Sequence, residues 1–322
     1  MSLISLLIAL AAERYLSSSA WQFNVYYLRY LRLFKRFVST SSPTHSIVTN
    51  GLFLVAPVVL CYFLLGLVND GLLHFILSTV VLISCFGCVK TRDSYKQYLM
   101  AAFRGESTTC EMHHKQLLQD KNLPEMGFGQ MLIWLNYRYF IAIMIFFVIF
   151  GAPGALFYRL AAKLNETGAG IETESEINNA DAESNDSQDV SEENCDSVAS
   201  SLDDDHETPE SSSENIAIES DAAKFNQQLL FWLDWLPVRL VSFGYMLVGH
   251  FSRALPIWLE NLFDIGKPPH QILITVAQKS EDFMIDKEDC TAEPCLLVRL
   301  AKRSLLLCLA VIAILILTGV IS

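Results

Sequence analysis

Long apolar runs are the feature that most restricts what this chain can fold into. Residues 48–68, 72–89, 139–160 and 304–321 are apolar almost throughout, and 52% of all residues are hydrophobic. A single core in a soluble domain of this length needs less apolar material, whereas about 20 such residues cross a bilayer core as one helix. We therefore expect an all-α fold, namely a polytopic membrane helical bundle.

Charge is distributed unevenly along the chain. Residues 164–223 hold 19 of the 35 acidic residues and contain no Lys, Arg, Phe, Trp or Tyr. The remaining 16 acids face 23 bases, so the rest of the chain carries +7 although the whole carries −12. Acidic repulsion without aromatic anchors does not offset the entropy of ordering a chain, so we predict a disordered acidic insert over 164–223. A passive spacer is favoured over a site for cations or cationic peptides.

Basic residues predict which side of the membrane each segment faces. They flank the apolar hairpin on both sides: Arg29, Arg32, Lys35, Arg36, Lys90, Arg92, Lys96 and Arg104. Because cytoplasmic loops are enriched in Lys and Arg, both flanks should be cytoplasmic and the turn at 69–71 should lie outside. A crossing over 139–163 then carries the acidic insert to the periplasm. Residues 225–250 either cross, which gives five spans and is favoured, or only enter the membrane, which leaves four.

The N-terminal region precedes the hairpin and contains two helical patterns. Residues 1–12 are apolar, but the basic stretch that opens a signal peptide is missing, so we expect them to be retained as a short membrane helix. In residues 21–38, three arginines fall on one helical side and apolar side chains on the other. This pattern is typical of a helix on an anionic membrane surface, or of one packed on its own domain.

These patterns divide the chain into seven segments. They are 1–47 (a short helix and an amphipathic membrane-surface helix), 48–89 (a transmembrane hairpin), 90–138 (a cytoplasmic helical segment), 139–163 (a transmembrane helix), 164–223 (the acidic periplasmic loop), 224–304 (a membrane-associated segment) and 305–322 (a C-terminal transmembrane helix). The expected bundle thus has four to five transmembrane helices.

Three residues in 225–250 fit a bilayer poorly. Asp234 and Arg239 are charged, and Pro237 lies between them. A charge at membrane depth is costly unless it is paired, and proline removes a backbone donor from a helix. The two charges are about 140° apart on an ideal helix, but a break at Pro237 would bring them together and turn carbonyls into a polar cavity. The alternative is a buried ion pair that only fixes a helix interface.

Other motifs provide no metal, cofactor or nucleic-acid site. Cys85 and Cys88 form a C-x-x-C inside an apolar run, where thiols pack as small hydrophobic groups. Glu111, His113 and His114 fit a solvated surface better than a metal centre, since adjacent histidines point to different sides of a helix. Glycine-rich phosphate loops are missing from the sequence. We therefore expect no cofactor, no metal and no nucleic-acid partner.

Several stretches together resemble the AmpE family of bacterial inner-membrane proteins. They are LDWLPVRL at 233–240, VGH at 248–250, ALPIW at 254–258, WLNYRY at 134–139 and Glu13-Arg14. The resemblance covers nearly the whole chain apart from the acidic insert. It implies a multi-pass inner-membrane protein linked to β-lactamase induction and cell-wall recycling, with a cell-wall fragment as ligand and a functional link to a muropeptide amidase. It implies no particular biochemical activity.

A more distant similarity is to the membrane-bound cobinamide phosphate synthases, which join an amino-alcohol phosphate to a corrinoid acid. It rests on D-x-x-P-x-R at 234–239, GAPGALFYR at 151–159 and RGE at 104–106. Their E-N-x-x-D stretch is not reproduced, since only Asn136 corresponds, and AAKL at 161–164 replaces their N-T-L-D. We infer a shared scaffold with a lost or altered reaction, so an enzyme is the less favoured interpretation.

The sequence thus predicts one functional polar cluster and no catalytic residue. Its members are Asp234, Pro237, Arg239, Glu13, Arg14, Arg104, Glu106, Asn136, Arg138 and His250. Three functions compete for it: regulation by cell-wall status, which is favoured, a ligase-like enzyme, and a transporter or small-molecule binder. The lipid bilayer is the expected partner in each case.

Overall fold

A computed structural model describes residues 2–15, 23–37, 46–68, 70–87, 89–167, 211–281 and 292–319. The helices in these ranges are α1 (Ser2–Tyr15), α2 (Phe23–Phe37), α3 (Ser46–Leu67), α4 (Gly71–Cys85), α5 (Val89–Phe103), α6 (Ser107–Asp120), α7 (Phe128–Asn136), a π-helical turn (Tyr137–Ile141), α8 (Ala142–Glu166), α9 (Ser211–Val248), α10 (Phe251–Leu262), α11 (Pro269–Ser280) and α12 (Ala292–Leu317). All regular structure in the described residues is helical, which confirms the predicted all-α class.

Three helical stretches are long and apolar enough to cross a membrane. They are Val48–Leu67, Phe128–Glu166 and Ala292–Leu317, and two shorter apolar helices accompany them, Leu3–Glu13 and Gly71–Cys85. Large apolar side chains are exposed on α3 and α12, among them Tyr62, Phe63 and Leu306. An apolar exterior of this kind suits lipid rather than water, and it confirms the membrane helical bundle.

The helix α8 reverses direction at Gly151. The backbone there has φ 72° and ψ −163°, which is not helical. The rings of Phe146 and Tyr158 stack with centroids 4.9 Å apart, and the Tyr139 hydroxyl donates a hydrogen bond to Glu166. In a straight helix, residues 139 and 166 would be about 40 Å apart. The two arms therefore pack antiparallel, and the single transmembrane helix predicted for 139–163 is corrected to a helical hairpin.

The sequence Gly151-Ala-Pro-Gly154 explains this reversal. The φ and ψ of Gly151 lie in a region that essentially only glycine adopts. Pro153 begins the second arm, where a missing amide hydrogen is tolerated. A Cβ on Gly154 would lie 2.7 Å from the carbonyl oxygen of Phe146, so the turn closes only without a side chain there.

The hairpin returns the chain to the side from which it came. Lys121 Nζ lies 3.4 Å from Glu166 Oε2, and Asn122 Nδ2 donates a hydrogen bond to the carbonyl oxygen of Asn165 at 3.4 Å. The end of the second arm thus lies beside the connection between α6 and α7, within the segment predicted to be cytoplasmic. The periplasmic placement of the acidic insert depended on a single crossing by residues 139–163. Because these residues form a hairpin, that crossing no longer supports it.

The acidic insert lies mostly outside the described residues. These end at Thr167 and resume at Ser211, where α9 begins inside the range 164–223 that was predicted to be disordered. The prediction for residues 168–210 is therefore not addressed by the structure. At residues 211–223 the structure describes the first turns of α9.

The helix α9 continues through Pro237 without the predicted break. Buried residues lie on both sides of the proline: Asp234 before it, and Val238 and Val241 after it. The opposite face is apolar and exposed at helical spacing: Trp232, Leu236, Leu240, Phe243 and Leu247. This face is suited to lipid, although α9 is not among the three stretches that are both long and apolar enough to cross a membrane. Crossing by 225–250 therefore stays a prediction.

The helices α10 and α11 fold back against α9. The backbone amide of His250 donates a hydrogen bond to the carbonyl oxygen of Ser280 at 2.7 Å, which joins the start of α10 to the end of α11. A Cβ on Gly249 would overlap that same carbonyl oxygen and would lie 2.7 Å from the Ser280 Cβ. Only glycine permits this close approach, which fixes how the three helices meet.

Candidate functional site

Asp234 lies at the point where α9 meets the hairpin. Its side chain is buried, and Oδ1 accepts hydrogen bonds from the hydroxyls of Tyr137 at 2.8 Å and Tyr158 at 2.7 Å. Its Oδ2 lies 3.9 Å from Nη2 of Arg138. One carboxylate therefore links α9, the π-helical turn and the second arm of the hairpin, which are remote from one another in sequence.

The π-helical turn supplies three of the side chains. Tyr137, Arg138 and Tyr139 are consecutive and all buried. A π turn carries more residues than an α turn and is frequent at functional sites, because it redirects side chains within a helix. Here Tyr137 and Arg138 face Asp234, while the Tyr139 hydroxyl binds Glu166 instead.

Glu166 forms a second buried carboxylate at the end of the hairpin. Lys121 Nζ and Lys163 Nζ lie 3.4 Å and 3.5 Å from its Oε2. The guanidinium of Arg159 lies 4.3 Å from the centre of the Tyr139 ring and within electrostatic reach of Glu166. Three cations thus surround this one carboxylate.

The two carboxylates belong to one continuous set of charges, since Arg138 lies within electrostatic reach of both Asp234 and Glu166. We call the following side chains the buried cluster: Asp234, Glu166, Arg138, Arg159, Lys121, Lys163, Tyr137, Tyr139 and Tyr158. It holds four cations and two carboxylates, so its formal charge is +2.

The described residues satisfy the guanidinium of Arg138 only in part. Its Nε is buried without a hydrogen-bond partner among the described residues, and the 3.9 Å separation from Asp234 exceeds hydrogen-bond length. Its Cζ lies over the Trp134 ring, 5.0 Å from the ring centre. The side-chain oxygen of Asn136 is also enclosed without a partner in the described part of the chain.

Arg239 lies outside the buried cluster and is fully bonded. Its three nitrogens donate to the carbonyl oxygens of Leu262 at 2.7 Å, Trp235 at 2.8 Å and Asp264 at 2.6 Å. Carbonyls at a helix C-terminus lack partners within the helix, so Arg239 caps the end of α10. The pairing of Asp234 with Arg239 that a break at Pro237 would allow is therefore wrong, because α9 is unbroken and each charge has its own partners.

The remaining predicted residues do not join the buried cluster. Glu13 Oε1 forms an ion pair of 3.0 Å with Arg92 Nη2, which connects α1 to α5. The side chain of Arg14 lies outside the described residues. Three others are exposed: Arg104, Glu106 and His250. From the predicted set the structure brings together Asp234 and Arg138, and Asn136 lies two residues before Arg138 in the chain.

Most members of the buried cluster were not singled out by the sequence analysis. Arg159 and Lys163 are charged residues beside an apolar run, so the argument applied to Asp234 would have found them. Glu166 was counted with the acidic insert. Tyr137 and Tyr158 gave no signal of their own beyond lying in the quoted stretches, because buried tyrosines are common in helical cores.

His270 lies at the edge of the site, at the start of α11. Its ring centre is 5.8 Å from that of Trp134. Burial, and then the positive charge of Arg138, lower the pKa of His270. The imidazole is therefore held neutral close to the unsatisfied guanidinium.

An apolar groove of about 730 Å³ lies between the first arm of the hairpin and α9. Phe146, Leu233 and Pro237 are among its lining residues, and Phe146 stacks on Tyr158 of the buried cluster. Its composition suits lipid chains. Within the described residues, no group of three or more His, Cys, Asp and Glu side chains is placed to hold a metal ion.

Comparison with known proteins gives two matches. The family described as "Regulatory signalling modulator protein AmpE" matches residues 1–164 and 218–322. The chain is also similar to "Protein AmpE" of Shigella flexneri, with 36% identity over 94 residues, which are 28% of this chain and 32% of that protein. The alignment thus spans about a third of that relative. No solved structure matches.

Proposed function

The chain belongs to the AmpE family, and from this membership we propose that it is a regulatory protein of the bacterial inner membrane that couples cell-wall status to β-lactamase induction. The family is described as a regulatory signalling modulator, and the apolar exterior of the bundle agrees with a membrane location. A cell-wall fragment is the proposed ligand. A functional link to a muropeptide amidase, and a role in muropeptide recycling, are part of the same proposal.

The observation that carries this proposal is the buried cluster. A ligand controls a protein only if it binds two conformations with different affinity. Asp234 joins α9 to both the π-helical turn and the second hairpin arm, so a ligand that competes for its hydrogen bonds would change how these elements pack. The cluster is therefore a suitable place for a signal to be converted into a rearrangement of helices.

Gene deletion tests the regulatory function directly. We expect deletion to change β-lactamase induction by a β-lactam, together with the muropeptide pools. Asp234→Asn, expressed at the wild-type level, should reproduce the deletion because a neutral amide no longer attracts Arg138. Lys115→Gln, an exposed change outside the cluster, should behave as wild type. Unchanged induction and unchanged pools after deletion would count decisively against the proposal.

The side on which the acidic insert leaves the bundle is also part of the proposal. Contact of Glu166 with Lys121 supports an exit on the same side as the α6–α7 connection, which the basic residues of α5 predict to be cytoplasmic. The insert would then be available to cytoplasmic partners rather than to the periplasm.

A membrane enzyme related to the cobinamide phosphate synthases is the second candidate. The observation that favours it is spatial: the stretch 151–159 and Asp234, both shared with those enzymes, meet through the hydrogen bond between Tyr158 and Asp234. Restored cobalamin synthesis in a strain that lacks the synthase would support it. Failure of a well-expressed chain to restore synthesis would exclude this activity.

A further inference from the structure

We propose that the exposed basic face of α2 is a docking surface for the acidic insert of the same chain. The basic face consists of Arg29, Arg32 and Arg36, and the part of the insert concerned is residues 168–210. This inference goes beyond the proposed regulatory function and does not depend on it. It rests on how α2 packs, on where the second hairpin arm ends and on complementary charge.

The helix α2 uses one side to pack on the bundle. Tyr27 and Phe34 are buried, and the ring centre of Phe53 in α3 lies 5.8 Å from that of Tyr27 and 5.2 Å from that of Phe34. A membrane-surface helix inserts its apolar side among lipids, but here Tyr27 and Phe34 are used within the bundle. At 100° per residue the arginines of the basic face fall on the opposite side, where all three are exposed.

The basic face has no ionic partner within the described residues. The helix α2 itself contains no Asp or Glu. None of the ion pairs between described side chains involves its arginines. Three positive charges within about 10 Å along one helix side form a patch that attracts a polyanion.

The second hairpin arm runs beside α2 in the same direction. Arg159 Cζ lies 5.0 Å from the centre of the Phe23 ring, and Lys163 Nζ lies 6.0 Å from that of the Tyr27 ring. The hydroxyl oxygens of Tyr27 and Thr167 then lie 3.4 Å apart. Because these contacts advance in the same order along both helices, the chain leaves the arm in the direction in which the basic face begins.

The acidic insert starts at this point and has the opposite charge. Residues 168–210 contain 15 Asp and Glu residues and no Lys or Arg. The first of these acids, Glu172, is five residues beyond Thr167, and five residues span up to about 17 Å. Arg36 lies about 14 Å beyond Tyr27 along α2. The whole basic face is therefore within reach of Glu172 and the acids that follow it.

A tethered acidic segment has an advantage over a free anionic partner. A short flexible connection keeps the two groups at an effective concentration in the millimolar range. Exposed ion pairs are weak one by one and are screened by salt, so the contact needs several of them at once. Anionic lipid also attracts arginine, but the side chains that would anchor α2 among lipids are buried. The acidic insert is thus the favoured occupant.

The test measures the distance between α2 and the insert in the full-length protein. Spin labels are attached to Leu33→Cys, which is exposed on α2, and to the native Cys195, in a chain whose other cysteines are replaced. The protein is held in nanodiscs of zwitterionic lipid. Cys195 is 28 residues from Thr167, and a random chain of that length has a root-mean-square span of about 30 Å. We expect a shorter distance at about 0.1 M salt and a return towards the random span at about 1 M, where the Debye length is only about 3 Å.

A variant of the basic face locates the contact. It combines Arg29→Gln, Arg32→Gln and Arg36→Gln, which keeps a good helix former at each position and leaves the buried side of α2 unchanged. The fraction of short distances should fall by about threefold or more, as expected for the loss of three exposed ion pairs. If this variant does not fold, the salt dependence of the wild-type chain still decides.

The matched control removes the same charge from another helix. It combines three changes on α12, where the side chains are also exposed: Arg299→Gln, Lys302→Gln and Arg303→Gln. Its distances should equal those of the wild type, because net charge alone does not determine where the insert lies.

Two results would overturn the inference. One is a wild-type distance that matches the random span at low salt; enrichment of phosphatidylglycerol around the wild type but not around the basic-face variant would then assign the face to anionic lipid. The other is equal shortening in the wild type and the basic-face variant, since the insert would then dock elsewhere. Neither result bears on β-lactamase induction, so the regulatory function is judged separately by gene deletion.

Discussion

Replacement of Gly151 by alanine tests the hairpin, because it should destabilise a hairpin but stabilise a straight helix. With φ 72° and ψ −163°, residue 151 occupies a region that side chains essentially exclude. Strain of this kind costs about 1–3 kcal/mol for a residue with a Cβ, and the upper half of that range applies because this region is nearly restricted to glycine. A Cβ added to Gly151 would meet no atom closer than Pro153 Cδ at 3.7 Å, so the loss comes from the backbone and not from a clash.

A straight helix over the same residues would give the opposite result. Glycine in a helix interior is less favourable than alanine by about 1 kcal/mol, so Gly151→Ala would then stabilise the protein. The two structures differ by roughly 3–4 kcal/mol in the predicted effect, which follows from these two contributions. Gly51→Ala is the matched control, because Gly51 lies inside α3 and a Cβ there meets nothing within 4 Å.

The assay follows thermal unfolding of the purified protein in detergent with a dye that reacts with thiols. Cys61, Cys85 and Cys110 are buried, so they become reactive only when the fold opens. At roughly 2–4 °C per kcal/mol, Gly151→Ala should lower the midpoint by several degrees, while Gly51→Ala should leave it unchanged or raise it. A Gly151→Ala protein as stable as the control would refute the reversal and, with it, the contact between Lys121 and Glu166.

Three further predictions concern topology, pH and packing. In a chain whose other cysteines are replaced, Cys195 should react from the same face of the membrane as a cysteine at position 121; labelling from opposite faces would contradict the exit of the insert deduced from the hairpin. Because burial and then Arg138 lower the pKa of His270, its neutral form stabilises the fold above the unfolded pKa of about 6.5, and this contribution is lost as the pH falls below it. The unfolding midpoint should thus drop more between pH 7.5 and 5.5 in the wild type than in His270→Gln, and equal drops would exclude the effect. Gly249→Ala should lower stability by about 2 kcal/mol or more, since its Cβ would overlap a backbone carbonyl, and an unchanged midpoint would show that α9 and α11 are packed less closely.

Apolar run length and charge predicted the class of fold, but not the path of the chain. Residues 139–160 have the length and composition of one crossing. Hydropathy does not distinguish one straight helix from a helical hairpin, because both arms of a hairpin are equally apolar. The signal that distinguishes the two was present in the order of Gly151, Pro153 and Gly154. Glycine after one helix and proline at the start of the next are the ordinary marks of an end and a beginning.

The candidate site was predicted in part for a similar reason. Asp234 stood out because a carboxylate in an apolar stretch needs a partner, and that inference holds. The partner was sought five residues away in Arg239, since sequence shows neighbours along the chain. The structure instead supplies Tyr137, Tyr158 and Arg138 from other elements, and only the fold could reveal these contacts.

The acidic insert follows the end of the hairpin, and this position determines how freely the length and charge of the insert can change. The family match stops at residue 164 and resumes at 218, so the unmatched residues include the last residues of the second arm and the first residues of α9. Extra residues between two helix ends cost little, because each doubling of loop length adds only about 0.6 kcal/mol to the closure cost. A segment in this position can therefore be lengthened, shortened or recharged at little cost to the stability of the bundle.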